Sequence, residues 1–599
     1  MNLRYAILPA DPGAHLFQVT VELDAPNPAG QEFLLPAWIP GSYMIRDFAR
    51  NIVRVRALGG QGRRVRIAKT GKQTWRCAPV AEGETLTLAY EVYANDLSVR
   101  AAHLDTTRGF FNASSVFLLP LGHEQTPCRI SIFAPRERRY REWRLATGLA
   151  PALGTAYGDF GSYEAANYDE LLDCPVEMGT LLRESFAIAG VEHEFVLSGQ
   201  VARLDRDRLR ADLEKVCAAH IRLFEPRTRK PPFTRYTFLT LAVDEGYGGL
   251  EHRNSTALIC RRDDLPHLGM QSSTDAYRRF LGLASHEYFH AWNVKRIKPA
   301  AFVPYDLERE TYTPLLWLFE GFTSYYDDLA LRRAGLLTPT QYLDSVGETI
   351  TTVLQRSGRL KQSLAESSWD AWIKYYKPDE NAPNSVVSYY QKGSLVALGL
   401  DLLIRSQSAG RRSLDDVMRL LWRQCKAAGN AYAGIAPADV APAILEATGV
   451  DVARSLRAWT EDTRDPALEA LLPEFGVLVE RSPALASAHF ALLGCRVAAG
   501  NEGRITQVYD GTPAQVAGLS AGDQLVAING LRASGARLDA LLARHQPGEQ
   551  VEVLVFRRDE LHRFTLTLAR QAPEKWKLAV DPRASLRARR LRSGWLGSL

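Results

Sequence analysis

Ser285-His286-Glu287-Tyr288-Phe289-His290-Ala291-Trp292 carries the spacing H-E-x-x-H, which occurs once in the chain. Phe280, Leu281, Ala284, Tyr288 and Ala291 give the run one apolar helical face, and Pro299 marks its expected end. At 3.6 residues per turn, positions four apart share a face, so the imidazoles of His286 and His290 can reach one ion. Glu287 projects beside them, placed to act as a base on an attacking water rather than as a ligand. The bland alternative is two surface histidines flanking a helix glutamate.

A catalytic zinc takes three protein ligands and keeps one position open. Leu316-Trp317-Leu318-Phe319-Glu320-Gly321-Phe322 offers the third ligand, because a carboxylate in so apolar a helix is costly to bury unless paired or metal-bound. Asp306, Glu308 and Glu310 are nearer in sequence but lie in a polar, proline-flanked connection and read as solvated. The expected ligands of one catalytic Zn2+ ion are therefore His286, His290 and Glu320. Asp327, on the same helix face as Glu320, is a candidate to orient a ligand histidine.

These segments resemble the gluzincin metallopeptidases, and more closely the aminopeptidase N group and its relative, the glycyl aminopeptidase family. Trp317-Leu318-Phe319-Glu320-Gly321 resembles the ligand helix of that group. Gly248-Gly249-Leu250-Glu251-His252 resembles its exopeptidase strand, with Leu250 and His252 standing where relatives carry Met and Asn. Tyr390-Gln391-Lys392-Gly393 resembles the segment that supplies a catalytic tyrosine, and Tyr389 is the neighbouring competitor. The 29 residues between His290 and Glu320 exceed the spacing of aminopeptidase N relatives and fit the glycyl aminopeptidase branch. So do Pro36-Ala37-Trp38-Ile39-Pro40-Gly41-Ser42-Tyr43 and a PDZ-like module near the end. The resemblance implies that Glu251, with Gly248 and Gly249, binds the substrate's α-amine and that Tyr390 donates to the tetrahedral oxyanion. It also implies peptide substrates with a free N-terminus, with Gly or Ala favoured.

Outward from the motif, the pattern predicts a multidomain α+β chain. Residues 1–172 alternate as strands, as in His15–Leu23 and Thr85–Tyr93, and are expected to form a β-sandwich of two antiparallel sheets. Residues 173–475 mix strands and helices, with helices expected at 205–224, 274–297, 315–334, 339–356, 385–406, 414–427 and 437–447. They are expected to form a thermolysin-like catalytic domain with a helical lobe. Residues 485–572 return to short strands. Asp510-Gly511-Thr512-Pro513-Ala514 and Gly522-Asp523-Gln524-Leu525 are similar to PDZ domains of bacterial proteases. Such a module either adds a peptide strand, with Leu493-Gly494-Cys495 holding a terminal carboxylate, or packs on the catalytic domain. The Arg-rich stretch 573–599 reads as a solvated tail or surface helix.

Composition narrows the classes. A length of 599 residues suits about three or four domains. The 73 Lys and Arg nearly balance the 68 Asp and Glu, so a net +5 gives no electrostatic case for a nucleic-acid partner. No apolar run reaches the roughly 18 residues of a membrane span, and the start lacks the pattern of a signal peptide. Seven scattered cysteines suggest reduced thiols and a cytoplasmic location, in which Asn112-Ala113-Ser114 is a chance sequon. The expectation is a zinc aminopeptidase with Glu287 as general base. An endopeptidase of the same chemistry and a non-catalytic peptide-binding scaffold are the alternatives.

Overall fold

The computed structural model describes residues 2–483, 488–500, 502–533, 535–571 and 573–597. The chain divides into two compact units, 1–311 with 421–436, and 312–420 with 437–599. These divisions fall at other points than the expected domain limits. The expected limits 485 and 572 of the PDZ-like module lie outside the described residues.

The first unit opens with β structure. Leu3, Tyr5 and Ile7 alternate inward from the strand Leu3–Asp11, as a half-buried strand requires. This strand sits within an eight-stranded sheet, and two four-stranded sheets accompany it. Pairing is not antiparallel throughout: Leu3–Asp11 runs parallel to Cys128–Ile132. A hairpin cannot make that pairing, and more than a hundred residues of intervening chain make the crossover. Asn112 is buried and donates to the carbonyl of Val99, which leaves its sequon no surface for a glycan.

A five-stranded sheet follows, in the order Leu182–Ile188, Val191–Ser198, Arg235–Val243, Ser255–Arg261, Gly248–Glu251. The three middle strands are parallel. The edge strand Gly248–Glu251 runs antiparallel to Ser255–Arg261. Leu250 belongs to the same buried cluster as Leu3, Tyr5 and Ile7, so the edge strand is anchored in the core of the N-terminal β region. The motif helix spans Asp275–Phe289, with Thr274 capping it through a bond from the Tyr277 amide. It ends earlier than Pro299 predicts. His290 is the C-cap, and the amides of Lys295 and Ile297 turn back onto the carbonyls of His290 and Trp292.

The second unit is mainly helical before its PDZ-like part. Helices span Leu316–Arg333, Pro339–Leu354 and Gln391–Gln407. The expected helix at 385–406 is broken: Ala382–Ser385 is one short turn, Val386 is extended, and the long helix starts only after Tyr390. The PDZ-like part has its own core around Leu493, Ile505, Ile528 and Val553. The Arg-rich end is not a solvated tail. Strand Glu574–Val580 pairs with Val477–Pro483, and helix Leu586–Leu596 buries Leu591, Trp595 and Leu596. Arg587, Arg589 and Arg590 are exposed while these apolar side chains face inward, an amphipathic pattern that charge counting hides.

Trp595 is 0 % exposed and its indole N–H donates to the Tyr325 hydroxyl. Arg333 and Arg405 also donate to the Trp595 and Gly594 carbonyls. Trp595→Ala is expected to destabilise the protein by about 3–5 kcal/mol. Leu586→Ala, at a side chain 83 % exposed, should stay within about 0.5 kcal/mol of wild type. Thermal unfolding of the two variants checks this, and equal melting temperatures would return the segment to a solvated tail.

Candidate active site

In the first unit, the helical spacing puts the His286 and His290 rings 4.7 Å apart, centroid to centroid, at an interplanar angle of 82°. The bond between His290 Nδ1 and the Asn293 carbonyl, at 2.7 Å, fixes the tautomer. A carbonyl only accepts, so Nδ1 carries the proton and Nε2 presents the lone pair. Glu251 and Glu287 are 4 % and 5 % exposed, and their carboxylates lie within 4.8 Å of each other and of a His290 nitrogen. Two buried carboxylates beside an imidazole lone pair form a donor set that suits a divalent cation.

Glycines let this packing happen. A Cβ on Gly249 would sit 2.1 Å from Glu287 Oε1, so only glycine lets the edge strand approach the motif helix this closely. A Cβ on Gly41 would sit 2.5 Å from Glu251 Oε2, and Gly41 also has φ +96°, in the left-handed region. The Pro40–Ser42 turn therefore closes directly over the Glu251 carboxylate. Gly248 begins the same strand three residues before Glu251.

Asp173 holds the chain on either side of these groups. Its carboxylate takes the Lys295 ammonium at 2.7 Å, the Arg253 amide at 3.0 Å and His252 Nδ1 at 3.3 Å. Burial pushes the Asp173 carboxyl up, but the charges of Lys295 and Arg253 prevail and hold it well below the usual carboxylate range. His252 and Arg253 follow Glu251 directly, while Lys295 lies in the turn after His290. Sequence reasoning missed Asp173, since a lone aspartate after a short helix carries no motif. It passed over Gly41 as well, although the Pro-Gly-Ser-Tyr run was noted.

In the second unit, Glu320 is 2 % exposed on helix Leu316–Arg333. A Cβ on the next residue, Gly321, would lie 2.5 Å from the Gly393 Cα, and one on Gly393 2.9 Å from the Gly321 Cα. The helices carrying the Glu-Gly and Lys-Gly pairs thus cross backbone against backbone. That crossing brings Glu320 and Tyr390 together. Burial first, and then the charge of Glu320, pushes the Tyr390 phenol well above its ordinary range, which keeps it a proton donor. Tyr390 stacks on Tyr375 with centroids 5.6 Å apart and is half-buried, whereas Tyr389 is fully buried. Asp327 is half-buried and accepts from the Asp328 amide. Its charge adds to burial in raising the Asp328 carboxyl to about 7.

Comparison with known proteins agrees with these features. Residues 4–180 match the Peptidase M61 N-terminal domain, residues 279–396 the M61 glycyl aminopeptidase, and residues 504–558 a PDZ domain. The crystal structure of an aminopeptidase N family protein from Idiomarina loihiensis is 40% identical, with a TM-score of 0.93. The match covers 99% of this chain and 100% of that one. The chain belongs to the M61 glycyl aminopeptidase family. It is a metallopeptidase with a multidomain α+β fold. An M1 zinc metallopeptidase from Deinococcus radiodurans is 13% identical, with a TM-score of 0.49, over 78% of this chain and 94% of that one. No curated protein matches. Among the described residues of this M61 chain, no helix is long and apolar enough to cross a membrane.

The Gly249 approach gives a direct test. Gly249→Ala must displace the Glu287 carboxylate, and with Glu287 in its expected role as general base a shift of about 1 Å lowers turnover on the order of 100-fold. Its kcat should fall by about that factor while the histidines stay in place and metal content is unchanged. A kcat within twofold of wild type would show that Glu287 does not need this geometry.

Proposed function

We propose that this M61 enzyme is a zinc-dependent aminopeptidase that removes N-terminal residues, Gly and Ala among them, from peptides. The observation that carries the reading is the buried grouping of Glu251, Glu287 and His290 within 4.8 Å. His286, His290 and Glu320 would hold one Zn2+. When bound, the ion supplies Lewis acidity, polarising the scissile carbonyl and lowering the pKa of water toward about 7.

The chain's own residues then divide the work. Glu287 takes a proton from the attacking water and hands it to the leaving amine. Tyr390 donates its phenolic proton in a hydrogen bond to the carbonyl oxygen as negative charge grows there. Glu251 accepts hydrogen bonds from the substrate ammonium, and the turn at Gly41 closes over the same carboxylate. That closure favours an exopeptidase over an endopeptidase. Asp327 is proposed to orient a ligand histidine. The substrate class is peptides with a free N-terminus, and the Gly and Ala preference follows the family resemblance.

His290→Ala should lose both zinc and activity, read by metal analysis and by hydrolysis of aminoacyl amides. Glu287→Gln should keep zinc and lose about 10²–10⁴-fold in kcat. Stoichiometric zinc at native affinity in His290→Ala would remove that residue from the ligand set.

A comparison of free and N-acetylated peptides separates the remaining roles. Glu251→Gln should mainly raise KM for free N-termini and leave any cleavage of blocked peptides unchanged. Tyr390→Phe should lower kcat about 10²–10³-fold with little change in KM. A Glu251→Gln variant that keeps the full preference for free N-termini would overturn the amine-anchor role.

A further inference from the structure

The break that precedes Tyr390 is held from outside its own helix. Asn384, 4 % exposed, donates from Nδ2 to the Val508 carbonyl at 2.8 Å. Its Oδ1 accepts from the Asp510 amide at 3.0 Å. Those two partners are backbone groups at the end of the PDZ-like strand Ile505–Val508. One side-chain amide thus satisfies a donor and an acceptor at a strand end, as a neighbouring strand would. The remaining N–H of Asn384 donates to Asn381 Oδ1 at 3.1 Å, so its orientation is set on every side.

The same PDZ-like turn grips a second segment. The Asp510 carboxylate takes the Ser357 hydroxyl at 2.8 Å and the Lys361 ammonium. The turn Ser357–Leu360 packs in its own right on the residues leading to Tyr390. A Cβ on Gly358 would lie 2.5 Å from the Val386 carbonyl oxygen, and Gln362 Oε1 accepts from the Val387 amide at 3.0 Å. Arg359 pairs with Asp465, which also lies 3.3 Å from the buried Lys392 ammonium, two residues past Tyr390. Residues 384–392 are therefore pinned at Asn384, Val386, Val387 and Lys392, and Asp510 reaches them both directly at Asn384 and through the Ser357–Gln362 segment. The turn is itself fixed within its module, where the Tyr509 amide donates to the Gly494 carbonyl.

We infer that the Val508–Asp510 turn of the PDZ-like module is a positioning element for Tyr390, acting through Asn384 and the Ser357–Gln362 segment. The inference rests on the proposed role of Tyr390 as oxyanion donor. It makes the module part of the machinery that sets turnover. Asn384 and Asp510 are positioning residues and do not touch substrate.

The test is a double-mutant cycle in the full chain, read as kcat and KM on an alanine aryl amide. Asn384→Ala should lower kcat about tenfold or more and leave KM within about twofold, because the displaced group acts only once the oxyanion forms. In a Tyr390→Phe background the same change should have almost no further effect, since residues acting as a unit are not additive. Lys361→Met, at an exposed side chain, is the milder second variant. It should shift kcat in the same direction and lose that effect in the same background. If Tyr390→Phe alone is silent, the role of Tyr390 falls, and this inference with it. If Tyr390→Phe is crippling but Asn384→Ala and Lys361→Met are silent, or multiply with it in full, the positioning role alone is overturned.

Discussion

Two carboxyl groups buried side by side are the constraint on which the first unit depends. Glu251 and Glu287 sit within 4.8 Å of each other, almost out of reach of water. Carboxylates in such a place lose their hydration when charged, a cost of several kcal/mol per ion. Cations answer it, and the proposed chemistry supplies two: a metal beside the histidines and a substrate ammonium at Glu251. The surrounding ion pairs follow the same logic. Asp173 gathers Lys295, Arg253 and His252 around one carboxylate. Those positive groups are thereby matched where they stand.

Glycine is the means by which both units achieve such close approach. Gly249 and Gly41 admit the Glu287 and Glu251 carboxylates where a methyl group would collide. Gly321 and Gly393 let two helices touch at their backbones, which sets Glu320 beside Tyr390. Gly249, Gly41 and Gly321 each adjoin a residue of the proposed chemistry or pack against one. Side chains at these positions would push helix and strand, or helix and helix, apart by an ångström or more. The catalytic groups would separate with them.

How much of this was legible in the sequence depended on whether the signal was local. The helix through His286 and the one through Glu320 follow from apolar spacing; the second forms as read, and the first starts as read but stops at Phe289. Glu320 stood out because an acid in an apolar run is physically conspicuous. The break before Tyr390 was not legible: residues 385–406 have helical spacing throughout, and only contacts with Gln362 and the PDZ-like turn override it. The C-terminal segment failed for the opposite reason. Its five arginines dominate the composition, but Trp595 and Leu591 decide where it packs. Asp173 and Asn384 carry no motif, since their importance lies in partners 79 or more residues away.

The proposed roles also divide between the units in a physically meaningful way. The first unit contributes Glu251, whose interaction with an ammonium exists before reaction and persists through it. Such binding selects the substrate and lowers KM, but it does little for the chemical step once the site is filled. The second unit contributes Tyr390, whose donor meets a charge that appears only as the carbonyl is attacked. Interactions of that kind raise kcat. The amine anchor Glu251 thus shares the first unit with the proposed base Glu287, while the oxyanion donor Tyr390 lies in the second, each unit with its own glycine-permitted approach. The PDZ-like turn reaches the Tyr390 segment through Asn384 and Asp510. A change in that module should therefore be felt as slower turnover on the same substrates, without a change in which N-termini are accepted.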